Sequence, residues 1–78
     1  MEPLIIDSAR KHGVLDQDIL HAFNQPMWTT TDPDDDEVMM LVGPDRAGNL
    51  LEVGVVDSDA GPVIIHALSP ARPKFFPR

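Results

Sequence analysis

Glu52 and His66 are the residues whose types and spacing come nearest to a reactive site. His66 interrupts the apolar stretch Val63–Leu68, and Glu52 stands in the apolar stretch before it. If the two stretches form a hairpin in which Val56 pairs with Pro62, Glu52 lies directly across from His66, whereas a shift of one residue places them on opposite faces. A facing carboxylate could tune the imidazole for general acid–base work. The same side chains could instead form a buried polar pair without a catalytic role.

A second group of interest is cationic. All thirteen acidic residues lie between Met1 and Ala60, where three basic residues offset them only to a net charge of −10. From Gly61 onward there is no acidic residue, and three basic residues give +3. These bases could carry no function. Alternatively, together with Arg46, they form a local cationic site on a surface that otherwise repels anions. The three are Arg72, Lys74 and Arg78.

Other familiar sites are missing from the sequence. The acidic segment Asp32–Glu37 has carboxylates at the first, third and fifth positions of a calcium loop. It has Glu37 where that loop needs glycine, and Gly43 where it needs a bidentate glutamate, so a solvated loop is the better interpretation. The chain has no glycine-rich phosphate loop, no nucleophile elbow and no metal-ligand spacing. We therefore expect neither a metal nor a cofactor.

Length and composition limit the class of protein. A chain of 78 residues allows one small domain with a thin core, because such chains bury only about 60% of their unfolded surface. There is no cysteine for a disulfide or a thiolate metal site. No apolar run is long enough to span a membrane and no signal pattern is present, so we expect a cytoplasmic protein. The net charge of −7 argues against a protein that grips nucleic acid over its whole surface.

Two helices and four strands are predicted to position these residues. Glu2–His12 has apolar and small residues at helical spacing and is followed by Gly13, which predicts a first helix. The second helix is predicted to begin after an N-cap at Asp16 and to end near Asn24, before Pro26. Strands are predicted over 27–31, 38–42, 50–56 and 63–68, where β-branched and other apolar residues stand between turn-forming segments.

This order of elements predicts an α+β domain over residues 1–70 and a basic, proline-rich tail over residues 71–78. Two N-terminal helices would pack on a four-stranded antiparallel meander sheet. The second to fourth of these strands are apolar at almost every position, although two short helices can cover only one face of the sheet. The other face would then wrap into a concavity or be buried against a partner. A small protein could also simply expose some valine and methionine.

Two segments carry a resemblance to a known family. Ala9-Arg-Lys-His-Gly-Val14, followed by Asp18–Phe23 and Pro26, resembles the N-terminal motif of the BrnT toxins. Val63-Ile-Ile-His-Ala-Leu-Ser-Pro-Ala-Arg72 is similar to that family's last strand. The resemblance covers most of the chain. It implies a RelE/ParE-like fold, the toxin role in a type II toxin–antitoxin system, endoribonuclease activity that is ribosome-independent or ribosome-associated, and a small DNA-binding antitoxin as partner.

RelE-like chemistry needs cations that hold the scissile phosphate and a group that activates the 2′-hydroxyl. The resemblance therefore implies a metal-independent endoribonuclease in which Arg46 and Arg72 are catalytic cations. Both of them, with Lys74, would bind RNA. His66, or alternatively Glu52, would be the base.

A non-enzymatic interaction module is the competing class. It would be a degenerate relative of the toxin that dimerises or binds a partner through its sheet. An enzyme needs Arg46, Arg72 and His66 to converge in one concavity, whereas a binding module needs only apolar surface there. Lys11 and His12 are interpreted as structural contacts that fix the helical hairpin. A transcriptional DNA binder is disfavoured, since neither predicted helix carries base-reading cations.

Overall fold

The computed structural model describes residues 2–77, which form a five-stranded sheet, one α-helix and two short 3-10 helices. Strand order is β1-β5-β4-β3-β2; strands β2 to β5 form an antiparallel meander, and β1 pairs in parallel with β5. No helix within these residues has the length and apolar character needed to span a membrane. The elements are β1 Leu4–Ile5, a 3-10 helix Asp7–Arg10, α1 Asp16–Asn24, β2 Trp28–Asp32, β3 Asp35–Pro44, β4 Leu50–Ser58, β5 Gly61–Leu68 and a 3-10 helix Pro73–Phe75.

The predicted fold class, two helices on a four-stranded antiparallel sheet, is wrong. The segment Glu2–His12 supplies the edge strand β1 and one 3-10 turn instead of a helix, and β1 makes the sheet mixed. A helix this short is marginal in water, and the neighbouring isoleucines Ile5 and Ile6 have poor helix propensity. The backbone N–H and C=O groups of this segment instead find hydrogen-bond partners along the edge of β5. Beyond β1, for example, the Ile6 N–H donates to the Ile64 carbonyl at 3.2 Å.

The second predicted helix and the four predicted strands are confirmed, with different bounds. Asp16 is the first residue of α1 and not its N-cap; Leu15 occupies that position without a side-chain cap. The acidic segment is mostly strand and not a loop, since only Pro33 and Asp34 separate β2 from β3. The carboxylate of Asp32 accepts the Asp34 N–H at 2.8 Å, which closes this tight turn locally.

One face of the sheet, here the helix face, is covered by α1 and the first 3-10 helix. Its buried cluster is entirely apolar. The helix lies so close to β3 that a Cβ added to Gly43 would come within 2.5 Å of the Ala22 carbonyl oxygen, so only glycine fits there without a shift of α1. The buried members of the cluster are Ala9, Ile19, Ala22, Leu41, Leu51, Val53, Val55, Ile64 and Ala67.

The opposite face, here the tail face, is covered by the chain's own C-terminal tail. Phe75 is only 2% exposed, the Ala71 N–H donates to the Leu50 carbonyl at 2.9 Å, and Trp28 Nε1 donates to the Phe75 carbonyl at 2.9 Å. The strands are apolar on both sides because both faces are covered within one chain. The apolar pattern therefore does not itself indicate a partner. Ala71 and Phe75 are buried against Val38, Met40 and Val42.

Candidate functional site

Glu52 and His66 lie on the tail face as diagonal neighbours of two adjacent strands. The register that would set Glu52 directly across from His66 is not the one that forms. Near the hairpin tip Val56 pairs with Val63, and farther from it Glu52 pairs with Leu68. His66 is two residues from Leu68 on β5, a separation that keeps its side chain on the same face as Glu52.

A β-bulge brings the two side chains to one face. The register shifts between Gly54 and Val55, so that Ile65 has no partner of its own on β4. Continued without this extra residue, the register of the tip would pair Glu52 with Ala67 and turn His66 to the helix face. The bulge therefore places Glu52 and His66 on one face, the arrangement that the register pairing Val56 with Pro62 would also have produced.

The carboxylate of Glu52 is a fully buried charge, with 0% of the residue exposed. Its Oε1 accepts the Arg72 backbone N–H at 2.8 Å and Arg72 Nε at 3.0 Å. Its Oε2 accepts Arg72 Nη2 at 2.7 Å and His66 Nε2 at 2.8 Å. A buried charge is tolerated when its lone pairs are used in this way.

Opposing effects act on the pKa of the Glu52 carboxyl. Burial raises that pKa, but hydrogen bonds from the Arg72 side chain, the Arg72 backbone and His66 together outweigh burial and hold it below its ordinary value. The same contact raises the pKa of the Arg72 guanidinium, chiefly through its hydrogen bond to Glu52. Glu52 is therefore ionised at neutral pH. Having no exposed surface, it can act on a substrate only through His66 and Arg72.

The hydrogen bond to Glu52 selects the tautomer of His66. An ionised carboxylate only accepts hydrogen bonds, so His66 Nε2 must carry the hydrogen. In the neutral ring Nδ1 is then the free acceptor. The His66 side chain is 24% exposed, so this imidazole is held from behind by a buried group while part of it reaches the surface.

A second imidazole lies beside the first. The ring centroids of His12 and His66 are 5.8 Å apart, and the rings meet edge to face at 80°. The preceding 3-10 helix is fixed on β5, where Ser8 Oγ donates to the Ile65 carbonyl at 2.6 Å. Sequence reasoning assigned His12 no chemistry. It lies 54 positions from His66 in the chain, and the contacts of β1 and of the 3-10 helix with β5 bring it there.

Arg72 is the cation of this cluster. Its side chain is 46% exposed, and among residues 2–77 no acceptor bonds Nη1, which leaves part of the guanidinium for a ligand. The guanidinium carbon also lies 5.4 Å from the ring centroid of Phe75. We call Glu52, His66, Arg72 and His12 the Glu52 cluster.

Two other predicted site residues are not part of this cluster. Arg46 is held by α1 on the helix face: its Nε donates to Asp18 at 2.8 Å and its Nη1 to Gln17 at 2.7 Å. The Arg46 hydrogen bond lowers the pKa of the Asp18 carboxyl. Lys74 lies in the second 3-10 helix, with Nζ 5.0 Å from the Phe75 ring centroid. The fold thus brings together three of the four predicted catalytic residues and leaves Arg46 with the helix, so the convergence of Arg46, Arg72 and His66 that was expected of an enzyme does not occur.

Comparison with protein-family models, with curated proteins and with solved structures finds no match for this chain. The chemistry of the Glu52 cluster is therefore the basis for the function proposed below.

Proposed function

We propose that the Glu52 cluster cleaves RNA without a metal ion, which would make this chain an endoribonuclease. One observation carries the proposal: a single buried carboxylate holds an imidazole and a guanidinium at the same surface, with a second imidazole 5.8 Å from the first. A base, an acid and a cation on one phosphodiester are the groups that this reaction needs. The toxin role with a small antitoxin as partner, implied by the resemblance, is part of the same proposal.

Each group has one task in the reaction. His66 Nδ1 takes the proton of the 2′-hydroxyl as the O2′–P bond forms. Arg72 Nη1 donates to a non-bridging oxygen, where negative charge builds up in the transition state. His12 gives a proton to the 5′-oxygen as the P–O5′ bond breaks. The products are a 2′,3′-cyclic phosphate and a 5′-hydroxyl, so atoms and protons balance without a co-reactant.

Glu52 is a positioning residue in this scheme. It fixes the tautomer of His66, orients the ring and stabilises the imidazolium that forms when His66 takes the proton. It also holds Arg72 at the surface by three nitrogen donors. RNA would approach from the tail face, where Lys74 offers a further positive charge on a chain that otherwise repels phosphate.

The direct test is cleavage of a 5′-labelled single-stranded RNA by the purified chain in excess EDTA. We expect cyclic-phosphate ends, and we expect His66→Gln and His12→Gln each to slow cleavage about 100-fold or more. His21→Gln is the matched control, because His21 bonds the Pro44 carbonyl at 2.8 Å and belongs to no part of the cluster. Wild-type rates in the His66→Gln protein would overturn the proposal, as would loss of activity in EDTA.

A non-enzymatic interaction module is the second candidate, and two observations favour it. Arg46 lies with α1 on the helix face and does not converge with Arg72 and His66, as the enzyme was expected to require. Every arginine within residues 2–77 already has a carboxylate partner, which reduces its attraction for phosphate. Induced expression separates the two candidates. An endoribonuclease toxin should arrest growth, and the exposed-site variant His12→Gln should relieve the arrest. Harmless expression together with absent cleavage would favour the module.

A further inference from the structure

The outer edge of β2 is a strand edge without a neighbour among residues 2–77. Thr29, Thr30 and Thr31 follow one another there, all exposed, and threonine has a high β propensity. Strand edges are usually protected by charges, prolines or a covering segment. Between Trp28 and Thr31 this edge has neither a charge nor a proline. It therefore offers free backbone donors and acceptors to another strand.

A groove of about 310 Å³ runs beside this edge. One wall is β2 itself, from Trp28 to Thr30, and the other is the end of the tail, from Lys74 to Pro77. Phe76 is 36% exposed in this groove, and its ring lies 5.2 Å from that of Trp28. The groove thus combines an open strand edge, exposed apolar surface and one positive charge.

We propose that two copies of this chain pair through β2 in antiparallel orientation, centred on Thr30, to form a continuous ten-stranded sheet. In this register Thr30 faces the same residue of the second copy, and Asp32 faces Trp28 of the second copy. The proposal does not involve the base, the acid or the arginine of the RNA-cleavage scheme, and it shares with that scheme only Lys74, which lines the groove.

Charge complementarity identifies a second copy as the occupant. The β2–β3 register shifts between Thr31 and Asp32, but the unpaired residues are on β3, so Trp28, Thr30 and Asp32 still alternate onto one face of β2. Direct cross-strand neighbours share a face. Asp32 of one copy would therefore enter the groove of the other beside its Lys74, and the two-fold axis makes this contact twice. The acidic turns between β2 and β3 would point in opposite directions, which limits repulsion between two chains of charge −7.

The chain has no cysteine, so a single introduced cysteine reports the pairing directly. Thr30→Cys should form a disulfide-linked dimer in a glutathione redox buffer at least about 10-fold faster than Ala47→Cys, because only position 30 faces itself at a distance a disulfide can span. Thr29→Cys is the register control; it faces Thr31 of the second copy and should cross-link no faster than Ala47→Cys. Equal rates for Thr30→Cys and Ala47→Cys would overturn the proposal.

The unmodified protein supplies an independent measurement. Its mass in analytical ultracentrifugation should shift from monomer to dimer with concentration. Thr30→Lys, which places like charges opposite each other, should raise the dimer dissociation constant about 10-fold or more. Lys74→Asp should weaken the dimer, and adding Asp32→Lys should restore it. A wild-type protein that is monomeric at about 200 micromolar would contradict the pairing. The RNA-cleavage assay would be unaffected by that result.

Discussion

Two arginine–carboxylate pairs, one on each face of the sheet, are built from the same donors. On the helix face, the backbone N–H and Nε of Arg46 both donate to Oδ1 of Asp18, at 3.1 and 2.8 Å. On the tail face, the backbone N–H and Nε of Arg72 both donate to Oε1 of Glu52, at 2.8 and 3.0 Å. The two guanidiniums are about equally exposed, at 50% and 46% of the side chain.

The pairs differ in the burial of the carboxylate. The Asp18 side chain is 18% exposed and that of Glu52 is 0% exposed. Water can solvate Asp18 if its arginine is removed, whereas Glu52 would remain charged in an apolar cluster with only His66 as a side-chain partner. Bond geometry alone therefore does not set the importance of an ion pair. The contribution of an ion pair to stability depends on how well water can solvate its less exposed partner.

The largest effect should come from removal of the arginines. Arg72→Ala leaves Glu52 buried and largely unpaired, and should lower the free energy of unfolding by about 3 kcal/mol, the lower end of the range for broken buried pairs because Arg72 is half exposed. Arg46→Ala, the matched control, should have a much smaller effect. Urea denaturation of both variants measures the difference. Equal losses would mean that carboxylate burial does not distinguish the pairs.

The next largest effect is a loss of stability at low pH. The pKa of the Glu52 carboxyl is held below its ordinary value of 4.5, so its contribution to stability is present in full above that pH and is lost as pH falls through the lower, folded-state value. The stability gap between wild type and Glu52→Gln should therefore be wide at pH 7 and shrink below pH 4.5. Asp18→Asn should show a gap of the same sign with a smaller amplitude. A Glu52→Gln gap that is constant from pH 7 to about 3 would contradict the assignment.

Removal of the His66 imidazole should lower the free energy of unfolding less than removal of the Arg72 guanidinium. His66→Ala takes one of the donors from Glu52 but leaves those of Arg72, so the free energy of unfolding should fall by about 1 kcal/mol. The measurement is again urea denaturation, now with the double variant His66→Ala/Arg72→Ala. Because both side chains serve one carboxylate, the double variant should depart from additivity. Strict additivity would show that the two donors act independently.

The smallest effect is expected when salt concentration is raised, which changes the coupling energies of the two ion pairs. Double-mutant cycles across each pair, at low salt and at about 1 M NaCl, compare their coupling energies. The Asp18–Arg46 coupling should be largely screened, since ions reach both groups. The Glu52–Arg72 coupling should keep most of its value, because the carboxylate is shielded from ions. Equal loss in both cycles would show that solvent reaches Glu52.

The local pattern of apolar and turn-forming residues was sufficient to predict the positions of α1 and of strands β2 to β5, because these effects act between residues that are close in the chain. It failed at Glu2–His12, where pairing with β5 outweighs a weak helical pattern. It also left open whether Glu52 and His66 share a face, and the register that was expected to bring them together does not form. The observed bulge at Ile65 produces the same outcome by another route, and no local signal marks that bulge.

The sequence by itself determined the meander of strands, the acidic body with its basic tail, and the presence of one carboxylate and one histidine within apolar strands. The tertiary structure decided which charges meet: Arg72 with Glu52, Arg46 with Asp18, and His12 beside His66. The physical reason is the separation along the chain over which each kind of interaction acts. Strand alternation and turn formation depend on adjacent residues, whereas the packing of the tail over the sheet and the pairing of β1 with β5 join segments far apart in the chain. The partner of a charged residue is therefore set by contacts that spacing along the chain does not contain.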